Sequence, residues 1–363
     1  MILLNPGPVT LTPRVRKALG GEDLCHREPE FAALTLDVLR ALEAIYETGG
    51  ATSYAAVMLS GSGTSAVEGM LSTFASKSRA TLVVCNGVYG ERMAAMLEKQ
   101  GKPSATVKSA WTEAIDVSAV GRHLDAHPDI AHVAVVHHET TTGRLNDLSA
   151  LAALCEARGV GLLIDAVSSF AGEDLPFGRW KPLAVAGTAN KCLHGAPGVS
   201  FVLARRDALD SGESFATTLY LDLQGYYREQ RKGWSPFTQA VHVILALREA
   251  LAEFGEQGGW SARHRLYTHR STVVRRALSD TGIEPIIATA ACSSMLTAFG
   301  MPEGFDYARV HDALKDRGFV IYAGQGALAG RVFRIATMGE INDADLERLA
   351  GALRSLFARA TVR

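Results

Sequence analysis

The stretch Val160-Gly-Leu-Leu-Ile-Asp-Ala-Val-Ser-Ser-Phe170 contains the most apolar run of the chain and closes that run with an acid, Asp165. A short run that is apolar on both faces is typical of a parallel strand covered by helices. Similar runs occupy residues 55–59, 81–85, 132–136, 183–186 and 199–204. Segments of helical period alternate with them, at residues 65–74, 91–100 and 148–158. This alternation predicts a doubly wound α/β domain with right-handed crossovers and a mostly parallel sheet.

The pattern changes after residue 255, where EQGGW (residues 256–260) interrupts a helical stretch. Sparser strands follow near residues 294–299 and 332–335, and a last helix is predicted to begin at Asn342, with Asp345 as its capping partner. We therefore expect three parts. Residues 1–19 form a segment that packs with the small domain and the active site, residues 20–255 form the large domain, and residues 256–363 form a smaller α+β domain.

Composition excludes several classes of protein. Lys and Arg total 37 against 38 for Asp and Glu, and the basic residues are scattered, so no nucleic-acid-binding surface is expected. The start, MILLNPGPV, has no basic region and reaches Asn5 and Pro6 after only a short apolar run, so we expect neither signal peptide nor membrane anchor, and a cytoplasmic location. Five cysteines without a CxxC pair support neither disulfides nor a zinc site.

The segment Ser60-Gly-Ser-Gly-Thr64 follows an apolar run and opens a helical segment. Small residues there allow backbone N–H groups at a helix N-terminus to approach a phosphate. Any tight strand-to-helix turn also favours glycine, so this segment alone leaves the phosphate and the purely structural interpretation equally open. It matches neither a Walker loop nor a full dinucleotide fingerprint.

Two residues at predicted strand ends carry the chemistry. Asp165 lies at the carboxyl end of its strand, the edge where open α/β sheets bind ligands, although a lone Asp there more commonly caps a turn. Lys191, in TANKCLHGAPG (residues 188–198), follows the next apolar run. Most lysines are solvated, but an amine bracketed by buried strands has a lowered pKa, as Schiff-base chemistry requires.

Together these residues indicate pyridoxal phosphate (PLP). This cofactor needs a lysine for its Schiff base, an acid to hold its pyridine nitrogen protonated, and an anchor for its phosphate. An aromatic ring to stack on the cofactor would complete the set, and Tyr89 in Asn86-Gly-Val-Tyr-Gly90 is the candidate, with loop packing as the alternative.

The chain resembles the class V, fold type I aminotransferases over essentially its whole length, and within them the branch of 2-aminoethylphosphonate:pyruvate transaminases. The motifs that carry the resemblance are LNPGPVTLT (residues 4–12), SGSGTSAVE (60–68), NGVYGERM (86–93), HHETTTGRLN (137–146), LLIDAVSSF (162–170), ANKCLHGAPGVSFV (189–202), KGWSPFTQAVH (232–242), RGFVIYAG (317–324) and FRIATMGEI (333–341).

The resemblance implies a role for each matched residue. Lys191 would be the Schiff-base lysine and proton shuttle, Asp165 would pair with the pyridinium nitrogen, and Tyr89 would stack on the ring. The expected phosphate contacts are Ser62, Gly63 and Thr64. Thr140 would lie near the ring oxygen O3′, and Asn190 would also contact the cofactor. Thr238 would reach the phosphate of a neighbouring subunit, so a homodimer with shared active sites is expected.

Arg334 matches the arginine that clamps the substrate carboxylate, and Gly7 is expected beside the substrate. A guanidinium fork binds carboxylate and phosphonate oxygens in a bidentate manner, although an arginine in an apolar strand can instead form an internal ion pair. His137, His138 and Glu139 suggest a metal site, but adjacent residues of a strand point to opposite faces, so no metal is expected.

Two segments differ from the aminoethylphosphonate branch. Residues 23–31 (DLCHREPEF) look more like the His-Arg-x-Pro-x-Phe stretch of serine or alanine:glyoxylate aminotransferases, and Thr238-Gln-Ala replaces a Thr-x-Pro pattern. The expected reaction moves the amino group of 2-aminoethylphosphonate to pyruvate by a ping-pong mechanism. The alternatives are an alanine- or serine:glyoxylate aminotransferase and, outside catalysis, a regulatory PLP-fold protein or a phosphate-ligand binder. A cysteine desulfurase is disfavoured because no cysteine follows the lysine in an evident mobile loop.

Overall fold

The computed structural model of the chain describes residues 1–47 and 53–358. Its strands, in chain order, are β1 (Ile2–Leu3), β2 (Tyr54–Gly61), β3 (Thr81–Cys85), β4 (Ser104–Lys108), β5 (His132–Val136), β6 (His138–Glu139), β7 (Arg144–Leu145), β8 (Gly161–Asp165), β9 (Ala184–Thr188), β10 (Gly198–Arg205), β11 (Leu296–Gly300), β12 (Phe319–Val320), β13 (Tyr322–Ala323) and β14 (Val332–Ala336).

The α-helices, in the same order, are α1 (Pro13–Ala18), α2 (Pro29–Glu43), α3 (Gly63–Phe74), α4 (Val88–Lys99), α5 (Val117–Ala126), α6 (Ser149–Ala157), α7 (Phe177–Trp180), α8 (Arg206–Asp210), α9 (Leu223–Gln230), α10 (Val241–Glu256), α11 (Gly259–Ser279), α12 (Tyr307–Lys315) and α13 (Asp343–Phe357). None of the helices in the described ranges is long and apolar enough to cross a membrane.

A seven-stranded sheet forms the centre of the described structure, in the order β2-β10-β9-β8-β5-β3-β4. Its pairs β9 to β8, β8 to β5, β5 to β3 and β3 to β4 are parallel, whereas β10 is antiparallel to both of its neighbours. Each of the six apolar runs noted in the sequence forms a strand of this sheet. The predicted mostly parallel, helix-covered sheet is confirmed.

Alternate residues of the central strands pack into two separate hydrophobic cores, one on each face of the sheet. In β8, Leu162 and Ile164 pack on one face with Phe31 and Val38 of α2, while Leu163 packs on the other face with residues of α3 and α4. Burial on both faces explains why these strands read as continuous apolar runs.

The pattern of apolar runs in the sequence does not predict strand β4. Its residues alternate between exposed and half-buried, and it pairs only with β3 at the edge of the sheet. An edge strand with polar side chains buries too little apolar surface to produce an apolar run.

The C-terminal elements form a second, smaller sheet in the order β11-β14-β13, with antiparallel pairs. The predicted helix break is confirmed, because α10 ends at Glu256 and α11 begins at Gly259. The cap of α13 is also confirmed, since Asn342 accepts a hydrogen bond of 2.8 Å from the backbone N–H of Asp345. At the N-terminus, β1 pairs in parallel with β12. The division at residues 19 and 255 stays a prediction.

A buried carboxylate, Glu173, connects the segment after β8 to the C-terminal elements. It lies 3.0 Å from Nδ1 of His264 on α11, and it accepts hydrogen bonds from the backbone N–H and the hydroxyl of Ser294, at 2.7 and 2.8 Å. Burial acts to raise the pKa of Glu173, but the bonds from His264 and Ser294 hold it below its ordinary value. The hydrogen bond to Glu173 raises the pKa of His264 in turn.

Replacing His264 by Gln is expected to lower the melting temperature more at about pH 6 than at about pH 9. Because the folded pKa of His264 is raised, its contribution to stability is fully present below the unfolded pKa and is lost as the pH rises through the folded pKa. Thermal unfolding of both proteins at the two pH values measures this difference. The control is His311→Gln, whose partner Asp312 is 71% exposed and which should change little at either pH. An equal destabilisation by His264→Gln at both pH values would contradict the expectation.

Candidate active site

The segments predicted from the sequence to bind the cofactor follow strands that end at the same edge of the main sheet. Strands β3, β5, β8 and β9 run parallel, and β2 shares their direction because β10 is antiparallel to both β2 and β9. Their carboxyl ends therefore lie together, followed in the chain by the residues predicted to bind the cofactor. In open α/β sheets this edge is where ligands bind.

Lys191 lies three residues beyond the end of β9 and is half-buried. Burial lowers its pKa to about 8, while the neighbouring Cys192 and Asp165 act in the opposite direction. Within residues 1–47 and 53–358, its amine has neither a hydrogen-bond nor an ion-pair partner. A Cβ placed on Gly7 would lie 2.7 Å from Cδ of Lys191, so the N-terminal segment packs directly against the lysine. The result is a confined amine that is deprotonated far more readily than a solvated one.

Asp165 closes β8 and is 6% exposed. Burial raises its pKa to about 6, against the effect of a hydrogen bond from the backbone N–H of Val167 and of the positive charges of Lys191 and Arg92. A bound cation beside this carboxylate would favour its ionised form further. Asp165 therefore suits the predicted contact with a protonated ring nitrogen.

The first turn of α3 fits a phosphate. Ser62 is the N-cap residue, and its side chain makes no capping hydrogen bond, so the helix N-terminus is open to an outside acceptor. A Cβ on Gly63 would come within 2.5 Å of Cγ1 of Val167, which means that this turn lies directly against the segment after Asp165. Gly63 and Thr64 line one small cavity together with Tyr89, Arg92, Asp165 and Val167.

Tyr89 and Thr140 also fit the expected cofactor. Tyr89 lies in the first turn of α4, half-buried, with the guanidinium of Arg92 at 4.6 Å from its ring centroid. Thr140 is buried, and its hydroxyl finds no hydrogen-bond partner in the described ranges. A buried hydroxyl left unpaired is costly, so a bound molecule with a polar atom at this position would be stabilising.

Arg334 joins the small sheet to this edge. Its side chain is fully buried in β14, donating from Nη1 to the carbonyl oxygen of Thr140 at 2.9 Å and from Nε to that of Ala323 at 2.8 Å. Burial lowers its pKa, while the nearby Tyr89 and Tyr322 act to raise it. No carboxylate of the described residues lies within 4.0 Å of its guanidinium, so the structure offers no internal ion pair for it.

Asn190 and Thr238 occupy different surroundings. Asn190 immediately precedes Lys191 and accepts a hydrogen bond of 2.9 Å from the hydroxyl of Thr188. Thr238 is exposed, and its hydroxyl lies 3.5 Å from Nε2 of His26 in the segment that differs from the aminoethylphosphonate branch. Asp23 and His242 lie 3.2 Å apart on the same face. The structure thus brings the segment of residues 23–26 together with residues 238–242, and a contribution to a neighbouring subunit stays a prediction.

The sequence patterns alone do not predict the positions of Arg92 and Glu139 at this site. Arg92 was detectable, since a residue three positions after Tyr89 lies on the same face of a helix. Glu139 was considered only as a metal ligand, and the described residues contain no group of three or more His, Cys, Asp or Glu side chains arranged to hold a metal ion. His137 and His138 are both buried, and burial lowers the pKa of each to about 4.

A larger cleft of about 630 Å³ lies elsewhere, between α1, the N-terminal part of α2, and α10. It is lined by Arg14, Glu30 and Arg248, among others, and by none of the residues predicted to bind the cofactor. The volume of a cavity therefore does not locate the candidate active site in this structure. The candidate site is located by the strand ends that lie together at one edge of the sheet.

Comparison with known proteins identifies the family of the chain. The profile of the family described as Aminotransferase class-V matches residues 34–342. The 2-aminoethylphosphonate–pyruvate transaminase of Aeromonas hydrophila subsp. hydrophila is 36% identical over 361 residues, covering 98% of this chain and 94% of that protein. The solved structure of a subgroup IV aspartate aminotransferase from Thermus thermophilus has a TM-score of 0.90 and 28% identity, covering 99% of this chain and 100% of that one. An alanine–glyoxylate aminotransferase from Nostoc sp. has a TM-score of 0.87 and 26% identity, with coverages of 98% and 94%.

Replacing Thr140 by Val is expected to leave the melting temperature of the cofactor-free protein unchanged or higher, because the change removes a buried, unpaired hydroxyl. Added PLP should raise the melting temperature of the wild type by mass action and that of Thr140→Val by less. Thr81→Val is the matched control, since Thr81 is equally buried and unpaired but begins β3, at the opposite edge of the sheet. A full PLP-induced rise in Thr140→Val would contradict the assigned contact.

Proposed function

Because the chain belongs to the class V aminotransferases, we propose that it transfers the amino group of 2-aminoethylphosphonate to pyruvate, giving phosphonoacetaldehyde and L-alanine. Enzymes of this family use PLP, and the chain is a PLP-dependent aminotransferase. The choice of substrates rests on relatives of that activity at 34 to 36% identity over nearly the whole chain.

One observation supports the proposal, namely a desolvated amine that has no partner among the described residues and lies near a buried carboxylate at the carboxyl edge of the sheet. The pKa of Lys191 is lowered to about 8 and that of Asp165 is raised to about 6, in each case mainly by burial. Neighbouring groups whose pKa values are shifted in this way are typical of catalytic sites. Structural ion pairs give a different pattern, because they hold the two charged groups in contact.

The residues of this edge would hold the cofactor as follows. The backbone N–H groups of Gly63 and Thr64 and the hydroxyl of Ser62 would bind its phosphate. Asp165 would bind the ring nitrogen, Tyr89 would cover one face of the ring, and Thr140 would donate to the ring oxygen. Asn190 would also contact the cofactor. When bound, PLP withdraws electrons from the carbon that carries the substrate amine, which makes a proton on that carbon acidic.

Lys191 would then move that proton. A general base works best when its pKa lies near the working pH, and burial brings the amine into that range. Nζ would accept the proton from the donor carbon, while Gly7 and the surrounding backbone limit the positions open to the lysine side chain. In a ping-pong mechanism the first product leaves before pyruvate binds, so the same amine would serve both half-reactions.

Arg334 would bind the acidic group of each substrate, with Gly7 lining the same place. The bonds from its Nε and Nη1 atoms to the carbonyl oxygens of Ala323 and Thr140 fix the plane of the guanidinium. A guanidinium that is fixed in this way, and that has no carboxylate partner among the described residues, can donate hydrogen bonds to a phosphonate or a carboxylate. One arginine could therefore serve both the phosphonate donor and the oxo-acid acceptor.

We further propose that the enzyme is a homodimer with shared active sites. The supporting observation is that Thr238 lies beside His26 on an exposed face. Leu219 and Tyr220, which are 79% and 42% exposed, are large apolar side chains of the kind that subunit interfaces cover.

An alanine- or serine:glyoxylate aminotransferase is the second candidate. Two features favour it, the sequence HREPEF at residues 26–31 and the similarity of the fold to the alanine–glyoxylate enzyme from Nostoc sp.. Both candidates use the same cofactor and the same lysine, so only the substrates distinguish them.

Steady-state assays of the PLP-loaded enzyme decide between the two. We expect kcat/KM for 2-aminoethylphosphonate with pyruvate to exceed that for serine or alanine with glyoxylate by about 100-fold or more, because polar groups placed for a phosphonate are left unpaired by a smaller carboxylate. Formation of alanine and of phosphonoacetaldehyde in equal amounts measures the reaction. Turnover of the glyoxylate pairs without turnover of the phosphonate would reject the proposed donor while leaving the family assignment intact.

A further inference from the structure

Glu139 is a fully buried carboxylate with no part in the proposed binding of the cofactor or in the proposed proton transfer. Burial raises its pKa, and the negative charge of Asp165 acts in the same direction, whereas hydrogen bonds from Thr141 and Tyr89 act to lower it. A buried carboxylate is costly unless its oxygens are hydrogen-bonded, so the groups that bond to Glu139 are central to how it is tolerated.

These contacts reach across two segments. Oε1 accepts hydrogen bonds from the hydroxyl of Thr141 at 2.6 Å and from the backbone N–H of Thr141 at 3.1 Å. Oε2 accepts from the backbone N–H of Tyr89 at 3.2 Å, and the hydroxyl of Thr141 accepts from the backbone N–H of Val88 at 3.3 Å. Glu139 and Thr141 together satisfy the first two N–H groups of α4.

Helix α4 therefore takes its N-terminal cap from another part of the chain. Its N-cap residue is Gly87, which has no side chain to accept these bonds. A Cβ on Gly87 would lie 2.2 Å from Cδ of Glu139, so the glycine is required for the carboxylate to approach. A negative charge at this end of a helix is also favoured by the helix dipole.

Both segments joined by this carboxylate carry residues of the proposed cofactor site. The first turn of α4 carries Tyr89, and one turn of backbone separates it from Arg92. The segment on the other side carries Thr140, whose carbonyl oxygen also binds Arg334. A shift of α4 relative to residues 139–141 would move the stacking ring away from the hydroxyl expected at the ring oxygen.

We propose that Glu139 is a positioning residue, which holds Tyr89 and Thr140 in the relative arrangement that the cofactor requires. This inference rests on the proposed stacking role of Tyr89. Glu139 would act through the residues that it holds and not by contact with the cofactor.

The test measures the affinity of the cofactor-free protein for PLP. The protein is titrated with PLP, and binding is monitored by the change in PLP absorbance. Glu139→Gln keeps the size of the side chain and removes its charge, and it should weaken PLP binding about 10-fold, the size of one charge-assisted hydrogen bond. Glu91→Gln is the matched control, because Glu91 lies in the same first turn of α4 but is exposed. It should change the affinity by less than about 2-fold.

A double-mutant cycle separates positioning from general stabilisation. In a Tyr89→Ala background the ring to be positioned is gone, so Glu139→Gln should weaken PLP binding by less than about 2-fold there. An equal loss in both backgrounds would overturn the proposal, and so would an unchanged affinity of Glu139→Gln.

If Glu139→Gln fails to fold, Thr141→Val takes its place in the same cycle, since it removes a donor to the carboxylate and leaves the charge. A loss of PLP affinity that disappears with Tyr89→Ala would support the proposal, and an additive loss or none would overturn it. If the wild-type protein binds no PLP, the proposed function itself is contradicted. If the wild type and Glu139→Gln bind PLP with the same affinity, only the positioning role is rejected.

Discussion

Lys191 has a desolvated amine without a partner among the described residues, and this desolvation is the constraint on which the site depends. A charged amine loses much of its hydration at such a position, so the neutral form is favoured. The cost is tolerable because the helices on both faces of the sheet bury two large apolar cores, which hold the strand ends in place. The sheet thus supplies the rigidity that keeps one reactive group in an unfavourable environment.

Three separate contacts tie other parts of the chain to this edge. Gly7 lies against the lysine, Arg334 reaches from the small sheet to the backbone of Thr140, and Glu173 connects the segment after β8 with His264 and Ser294. Each contact spans a long distance in the sequence. Together they connect the elements of the proposed substrate site and those of the proposed cofactor site into one continuous structure.

The sequence was most informative where a signal is local. Apolar runs located six strands of the main sheet, and their spacing placed Asp165 and Lys191 at strand ends. The polar edge strand β4 gave no such signal. The capping role of Glu139 was also hidden, because the helix that it caps begins about fifty positions earlier in the chain. The positions of Thr140, Thr238 and Arg334 came from resemblance to a family, since their partners are set by tertiary packing, which periodicity does not encode.

The central claim is that Lys191 is the residue that binds PLP covalently, and borohydride reduction tests it most directly. Reduction converts the carbon–nitrogen double bond between lysine and cofactor into a stable amine, and mass spectrometry of a digest then identifies the modified lysine. The account predicts one pyridoxyl group on the peptide that contains Lys191. Lys102 is the internal comparison, because burial also lowers its pKa to about 8, but its amine is engaged by backbone carbonyl oxygens at the end of α3. Modification of Lys102 or another lysine, with Lys191 unmodified, would contradict the account.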